Sequence, residues 1–140
     1  MLTEEPSGPV SDAALAAFRK EKKTIIQEVT TRSLRQRDEV AHHGEKAEQL
    51  IRSGIEFTTR MLEAAMVMGE VALLEDQLAW AMERLPHDGV SPEYVLNRFC
   101  TYREVVEEHL PAAHSSEIIR FLEWMITRQR ELLQKGNDRA

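Results

Sequence analysis

Between residues 71 and 86 the apolar side chains recur in steps of three and four, and the run stops at a proline. The positions in this stripe are Val71, Leu74, Leu78, Ala81 and Leu85. Such steps place side chains on one face of an α-helix, whereas a half-buried strand needs strict alternation. No part of the chain alternates for long enough to predict a strand. The sequence therefore predicts an all-α fold.

Glycine, proline and hydroxyl residues divide the chain into about five helices. The first is predicted to begin at Ser11, and its middle, over residues 30–39, has so little to bury that it can bend or break in two. A second runs from residue 45 to Gly69 with Gly54 inside it. Glycine is unfavourable within a helix, so Gly54 predicts the close approach of another helix.

The remaining helices have recognisable starts and ends. Ser91, Pro92 and Glu93 supply a capping hydroxyl, a proline at the first helical position and a carboxylate near the positive end of the helix dipole. Ser115 or Ser116 predicts a similar start for the last helix, which should end at residues 136–137. With 140 residues and 42% hydrophobic content, we expect a single-domain bundle over residues 11–136, a disordered tail over 1–10 and a C-terminal tail over 137–140.

Charge and composition exclude several classes of function. The net charge of −6 argues against nucleic-acid binding, since that needs clustered and unopposed lysine and arginine. A basic run between residues 19 and 37 is interrupted by acidic side chains and is typical of a solvated face. One cysteine, Cys100, allows no internal disulfide, the N-terminus does not resemble a signal peptide, and no apolar run is long enough to cross a bilayer. We therefore expect a cytoplasmic protein without membrane contact.

Histidines suggest a metal only weakly. Glu39 and His42 have the spacing of one half of a di-iron motif, and His109 and His114 flank a turn. A second copy of the motif is absent, and histidines at helix ends also cap carbonyl groups. No histidine is singled out for haem. We predict no cofactor and no bound metal, with these four residues as the candidates if one exists.

No arrangement of residues predicts catalysis. The chain has no glycine-rich phosphate loop and no nucleophile elbow, and Cys100 has no partner that would activate it. We therefore expect a protein that is not an enzyme.

Aromatic residues outside the main stripes are the better pointers to a binding surface. Trp80 lies one position off its stripe and forms a second strip with Leu73 and Gln77, and Trp124 lies in a similar place beside Met125. Such strips belong either to a central helix or to a helix that packs against a partner. Met66, in a methionine cluster near Gly69, suits either an adaptable pocket or ordinary core packing. These residues predict a partner surface or pocket, and a homodimer.

The order of several short motifs resembles the N-terminal sensory domains of RsbR-type stress-regulator co-antagonists. The motifs are IRSGIEFTTRML over residues 51–62, LAWA over 78–81, GVSPE over 89–93, and a helix that holds Tyr102 and Arg103. The likeness covers roughly residues 15–135. It implies a globin-like fold without haem and a dimeric, non-enzymatic domain that signals through protein–protein contacts. In that family an anti-sigma-antagonist-like output domain follows. Because these 140 residues leave no space for it, we expect either a single-domain relative or a fragment of a longer protein.

A second resemblance competes with the first. Trp80-Ala81, GVSP over residues 89–92 and Glu108-His109 are similar to the helical cap that precedes cobalamin-binding domains. That likeness implies a cofactor-binding bundle, although the fold that carries the cobalamin-ligating histidine is missing here. The sequence thus favours a sensory or regulatory domain, with a cobalamin, haem or di-iron bundle as the alternative.

Overall fold

The computed structural model describes residues 5–139, and the side chains as far as residue 136. Within this part the fold is all-α, as predicted, and has no strand. Six helices follow one another: α1 (Asp12–Ser33), α2 (Arg37–His43), α3 (Ala47–Met68), α4 (Ala72–Arg84), α5 (Pro92–His109) and α6 (Ala112–Arg139). Five of them are long and α2 has 7 residues, which agrees with a bundle of about five helices.

The first predicted helix is broken into two. Ser11 caps α1 by accepting a hydrogen bond from the Ala14 amide at 3.1 Å, which confirms the predicted start. The helix ends at Ser33, and α2 begins at Arg37 after a short turn. The break falls inside residues 30–39, where the scarcity of apolar side chains leaves little burial to hold a continuous helix.

The predicted junction around Pro86 is also confirmed. α4 ends at Arg84 and a 3₁₀ turn covers Leu85–Asp88. Gly89 follows with a φ of 83°, which a residue with a side chain rarely adopts. Ser91 then caps α5, with its hydroxyl accepting from the Glu93 amide at 3.2 Å.

α6 starts earlier and ends later than its sequence suggests. It begins at Ala112, directly after Pro111, so Ser115 and Ser116 lie in its first turns and do not cap it. Their hydroxyls turn back to the carbonyls of Ala112 and Ala113 instead. At the other end the helix continues to Arg139, through the predicted stop at 136–137 and most of the predicted tail, while Ala140 lies outside the described residues.

Residues 6–10, expected to belong to a disordered tail, pack against the end of α3. The amide of Gly8 donates to the Gly69 carbonyl and that of Val10 to the Met66 carbonyl, both at 3.1 Å. Pro6 and Val10 are buried. Backbone hydrogen bonds and two buried side chains therefore fix a segment whose proline and glycine content suggested disorder. The rest of that expected tail, residues 1–4, lies outside the described part.

The core lies where α1, α3, α5 and α6 meet. α5 packs most extensively against α6, and α1 packs against α3 and α5. Large side chains that are fully buried there include Phe18, Ile55, Tyr102, Phe121 and Leu122. α4 is more peripheral, since two of its 13 residues, Leu74 and Leu78, are buried. Among residues 5–139, no helix is long and apolar enough to cross a membrane.

Candidate functional site

An apolar groove with a volume of about 350 Å³ lies between α3 and α4. One wall is formed by α3 and the other by α4, while α2, the turn after α4, α5 and α6 complete the lining. The residues from α3 and α4 that line it include Leu50, Gly54, Phe57, Met61, Leu74, Gln77, Leu78, Trp80 and Ala81. Volumes of this size and apolar linings are typical of sites for small molecules.

The α3 wall arises because its apolar residues point in two directions. At 100° per residue, the groove-lining positions 50, 54, 57 and 61 cluster about 100° around the helix from the core positions 51, 55 and 62. In the sequence, the apolar positions from Ala47 to Met68 recur in steps of three and four, as one core-facing stripe would. The structure divides it into a face for the core and a face for the groove.

Gly54 widens the groove instead of admitting a helix. A Cβ atom placed on Gly54 would meet no other atom within 4 Å, so the predicted close approach of another helix is wrong. The glycine lies in the α3 wall between Leu50 and Phe57, where a side chain would project into the open space. The unfavourable helix propensity of Gly54 is therefore accompanied by a groove that stays open at this position.

Exposed apolar side chains surround this groove. Five large apolar side chains are exposed in the described part of the chain, and three of them, Leu50, Phe57 and Trp80, line the groove. Trp80 is 53% exposed. Exposed apolar side chains are common singly, but a cluster around a cavity marks a surface that binds something apolar.

A buried polar cluster lies where α2 and α5 meet at the groove. It consists of Glu39, His43 and Arg98, and all three line the groove. Arg98 donates a hydrogen bond through its Nη2 to Glu39 Oε2, and His43 Nε2 lies 3.3 Å from the same oxygen. All three side chains are at most 8% exposed.

The side chains predicted to form a partner surface or pocket do not lie together. Trp80 and Gln77 line the groove, whereas Leu73 is half-buried outside its lining. Trp124 and Met66 are 6% and 0% exposed and belong to the core, where neither is open to a partner. On α4 the groove thus includes Trp80 and Gln77 but not Leu73, and on α6 Trp124 is buried in the core.

The metal candidates are separated. Glu39 pairs with His43, one turn further on, and not with His42, which is exposed. His109 is also exposed and His114 is half-buried at the start of α6. Among the residues that the structure describes, no group of three or more histidine, cysteine or acidic side chains is placed to hold a metal ion.

Ion pairs outside the groove fix the helices that form its walls. Arg128 of α6 holds Glu75 of α4 through three hydrogen bonds of 2.7–2.9 Å, which raise the pKa of Arg128 against the effect of burial. On α3, burial opposes the ionisation of Glu63, but hydrogen bonds from Lys22 and Arg19 of α1 outweigh it and lower the pKa of that carboxyl. Each wall is therefore tied on its outer side to a neighbouring helix.

Sequence reasoning missed the buried cluster and Gly54's role. Arg98 and Glu39 are 59 positions apart, so only folding shows that they meet. A signal for the groove was present in the positions 50, 54, 57 and 61, which follow helical spacing separately from the core positions 51, 55 and 62.

No protein-family model matches the chain, and no curated protein is similar to it in sequence.

Proposed function

We propose that this chain is a non-enzymatic sensory or regulatory domain, and that the groove between α3 and α4 takes up an apolar small molecule as its signal. The observation that carries the proposal is the combination of an open apolar groove with Leu50, Phe57 and Trp80 exposed around it. Burying these side chains against a ligand would supply the hydrophobic free energy of binding.

The position of α4 suggests how occupancy becomes a signal. Its two buried residues, Leu74 and Leu78, both line the groove. A ligand that touches them contacts much of what holds α4 against the rest of the bundle. The helix lies between turns at Gly69 and Gly89, so a ligand that favours one placement of α4 shifts the population towards it.

The same proposal covers how the domain passes its signal on to other proteins. We propose that the domain acts in the cytoplasm in signalling of the stress-response kind, through protein–protein contacts and as a homodimer. The exposed face of Trp80 supports a contact surface on α4, since a shift of that helix would alter what a partner meets. Light scattering over a range of protein concentrations tests the homodimer, and a monomer throughout would remove that part of the proposal.

Dye binding tests the groove itself. Nile red, an uncharged dye that fluoresces in apolar surroundings, should bind saturably and change the emission of Trp80. Trp80→Phe assigns that change, because the second tryptophan, Trp124, is buried in the core. Dye that fails to bind would contradict the proposal.

A matched pair of variants locates the dye. Gly54→Leu places a side chain in the groove at a position where its Cβ meets nothing, so the protein should fold and the dye should be excluded. Ala79→Leu adds the same side chain on the exposed side of α4, outside the groove lining, and should bind dye normally. Equal binding by both variants would place the dye elsewhere.

A further inference from the structure

One buried donor in the groove lacks an acceptor. Arg98 Nε is buried and makes no hydrogen bond to any of the described residues. The side chain is 8% exposed and lines the groove. A buried N–H without a partner is unfavourable and rare, so a donor of this kind beside an apolar cavity points to an acceptor brought by a ligand.

The charges around Arg98 decide what kind of acceptor fits. Its positive charge is already balanced by Glu39, to which it donates a hydrogen bond. The further acidic group in the lining, Asp88, pairs with Arg84 at 3.3 Å. An anionic group at Arg98 Nε would therefore meet a buried carboxylate, and among the described residues the groove lining holds no lysine and no second arginine to compensate it, which makes its burial costly.

The α3 wall of the groove indicates what the apolar part of the ligand looks like. From Leu50 to Met61 the α3 wall covers 11 residue steps, or about 16 Å at the helical rise of 1.5 Å per residue. Along this length the lining side chains of α3 are mainly apolar, and Gly54 leaves the middle open. The wall suits an extended apolar chain whose one end reaches the cluster of Glu39, His43 and Arg98 in the same lining.

We propose that the groove binds an uncharged amphipathic molecule, with an apolar chain along α3 and a carbonyl or hydroxyl oxygen that accepts a hydrogen bond from Arg98 Nε. This inference rests on the proposed function, because it names the ligand class of the same groove. Glu39 acts as a positioning residue, since its hydrogen bond to Nη2 fixes the guanidinium.

Displacement of Nile red by molecules that share a ten-carbon chain tests the inference on the unmodified protein. The series is 2-decanone, with an uncharged acceptor, decane, with none, decanoate, with a negative charge, and decyltrimethylammonium, with a positive one. A hydrogen bond to a charged donor predicts that 2-decanone displaces the dye at a concentration at least about tenfold lower than decane. Decanoate should be weaker than 2-decanone. Equal displacement by 2-decanone and decane, or strongest displacement by either charged molecule, would overturn the inference.

Arg98→Lys supplies a second readout. Lysine keeps the positive charge beside Glu39 but has no N–H at the place of Nε. The variant should still bind Nile red and should lose most of the preference for 2-decanone over decane. An unchanged preference would contradict the role of Nε, and if the variant does not fold, the series on the unmodified protein decides alone.

The two proposals fail in different ways. If Nile red does not bind to the unmodified protein, the groove is not a binding site and the proposed function fails. If the dye binds and Gly54→Leu excludes it, but 2-decanone has no advantage over decane, the groove stands and only the assignment of the ligand class fails.

Discussion

Arg98 on α5 donates a hydrogen bond to Glu39 on α2, and this pair is buried beside the groove. The contact joins a seven-residue helix, which has few other buried side chains, to one of the central helices of the bundle. His43 lies 3.3 Å from the same carboxylate oxygen and completes the cluster. The pair therefore both anchors α2 and gives the groove its polar group.

Removing one partner of this pair should lower the free energy of unfolding far more than replacing both partners with apolar residues. Glu39→Ala leaves a buried guanidinium without its counter-charge, and we expect a loss of about 3–5 kcal/mol in the free energy of unfolding. The double variant Glu39→Leu/Arg98→Met removes both charges and should recover most of that loss. Urea denaturation measures both. As a control, Glu48→Ala removes an exposed partner of Arg52 and should change stability by less than about 1 kcal/mol. A double variant that is no more stable than Glu39→Ala would contradict the coupling.

Alanine at two glycines should have opposite effects. Gly54 is in the middle of α3 with free space around its would-be Cβ, so Gly54→Ala should stabilise the protein by up to about 1 kcal/mol. Gly69 has a φ of 72°, and a Cβ there would lie 2.3 Å from the backbone nitrogen of Pro9. Gly69→Ala should therefore cost at least about 1 kcal/mol and displace the segment 6–10. Thermal melts of the two variants side by side test the signs, and a stabilising Gly69→Ala would refute the packing described for that segment.

Glu117 should make the stability depend on pH in the acidic range. The Ser11 amide donates to one carboxylate oxygen at 2.8 Å and the Ser11 hydroxyl to the other at 2.7 Å, and these bonds lower the pKa of Glu117. A carboxyl with a lowered pKa contributes stability above its unfolded value, near 4.5, and loses it as the pH falls through the folded value. The difference in unfolding free energy between the unmodified protein and Glu117→Gln should therefore shrink below about pH 4.5. Glu123→Gln, which removes a carboxylate at an exposed position of the same helix, is the matched control.

The buried hydroxyl pair of Thr59 and Tyr102 should respond unequally to its two deletions. Thr59 donates its one hydroxyl proton to the Ile55 carbonyl at 2.8 Å, so the Tyr102 hydroxyl is the donor in their 2.8 Å contact. Burial also raises the pKa of Tyr102, which keeps the phenol protonated. Tyr102→Phe leaves Thr59 hydrogen-bonded to Ile55 and should lower the free energy of unfolding by about 0.5–1.5 kcal/mol. Thr59→Val leaves the buried Tyr102 hydroxyl without an acceptor and should lower it by about 1–3 kcal/mol. Chemical denaturation would contradict this reading if Tyr102→Phe were the more damaging change.

Local chemistry made several helix boundaries predictable. Ser11 and Ser91 cap their helices because a serine hydroxyl can accept from an amide within the next three residues. Gly69 and Gly89 end elements because their positive φ angles suit glycine. Ser115 does not cap α6, because the helix already begins at Ala112, directly after Pro111. The resemblance to RsbR-type sensory domains stays a prediction.

The sequence by itself determined that the fold is a helical bundle and where most of its helices begin and end, because spacing, capping and turn chemistry act over a few residues. Tertiary structure alone decided which apolar faces are buried and which line the groove, since that depends on where neighbouring helices lie. It also brought Arg98 to Glu39, packed residues 6–10 against Gly69 and left Gly54 open. These are contacts between residues that are far apart in the chain, and no local pattern specifies them.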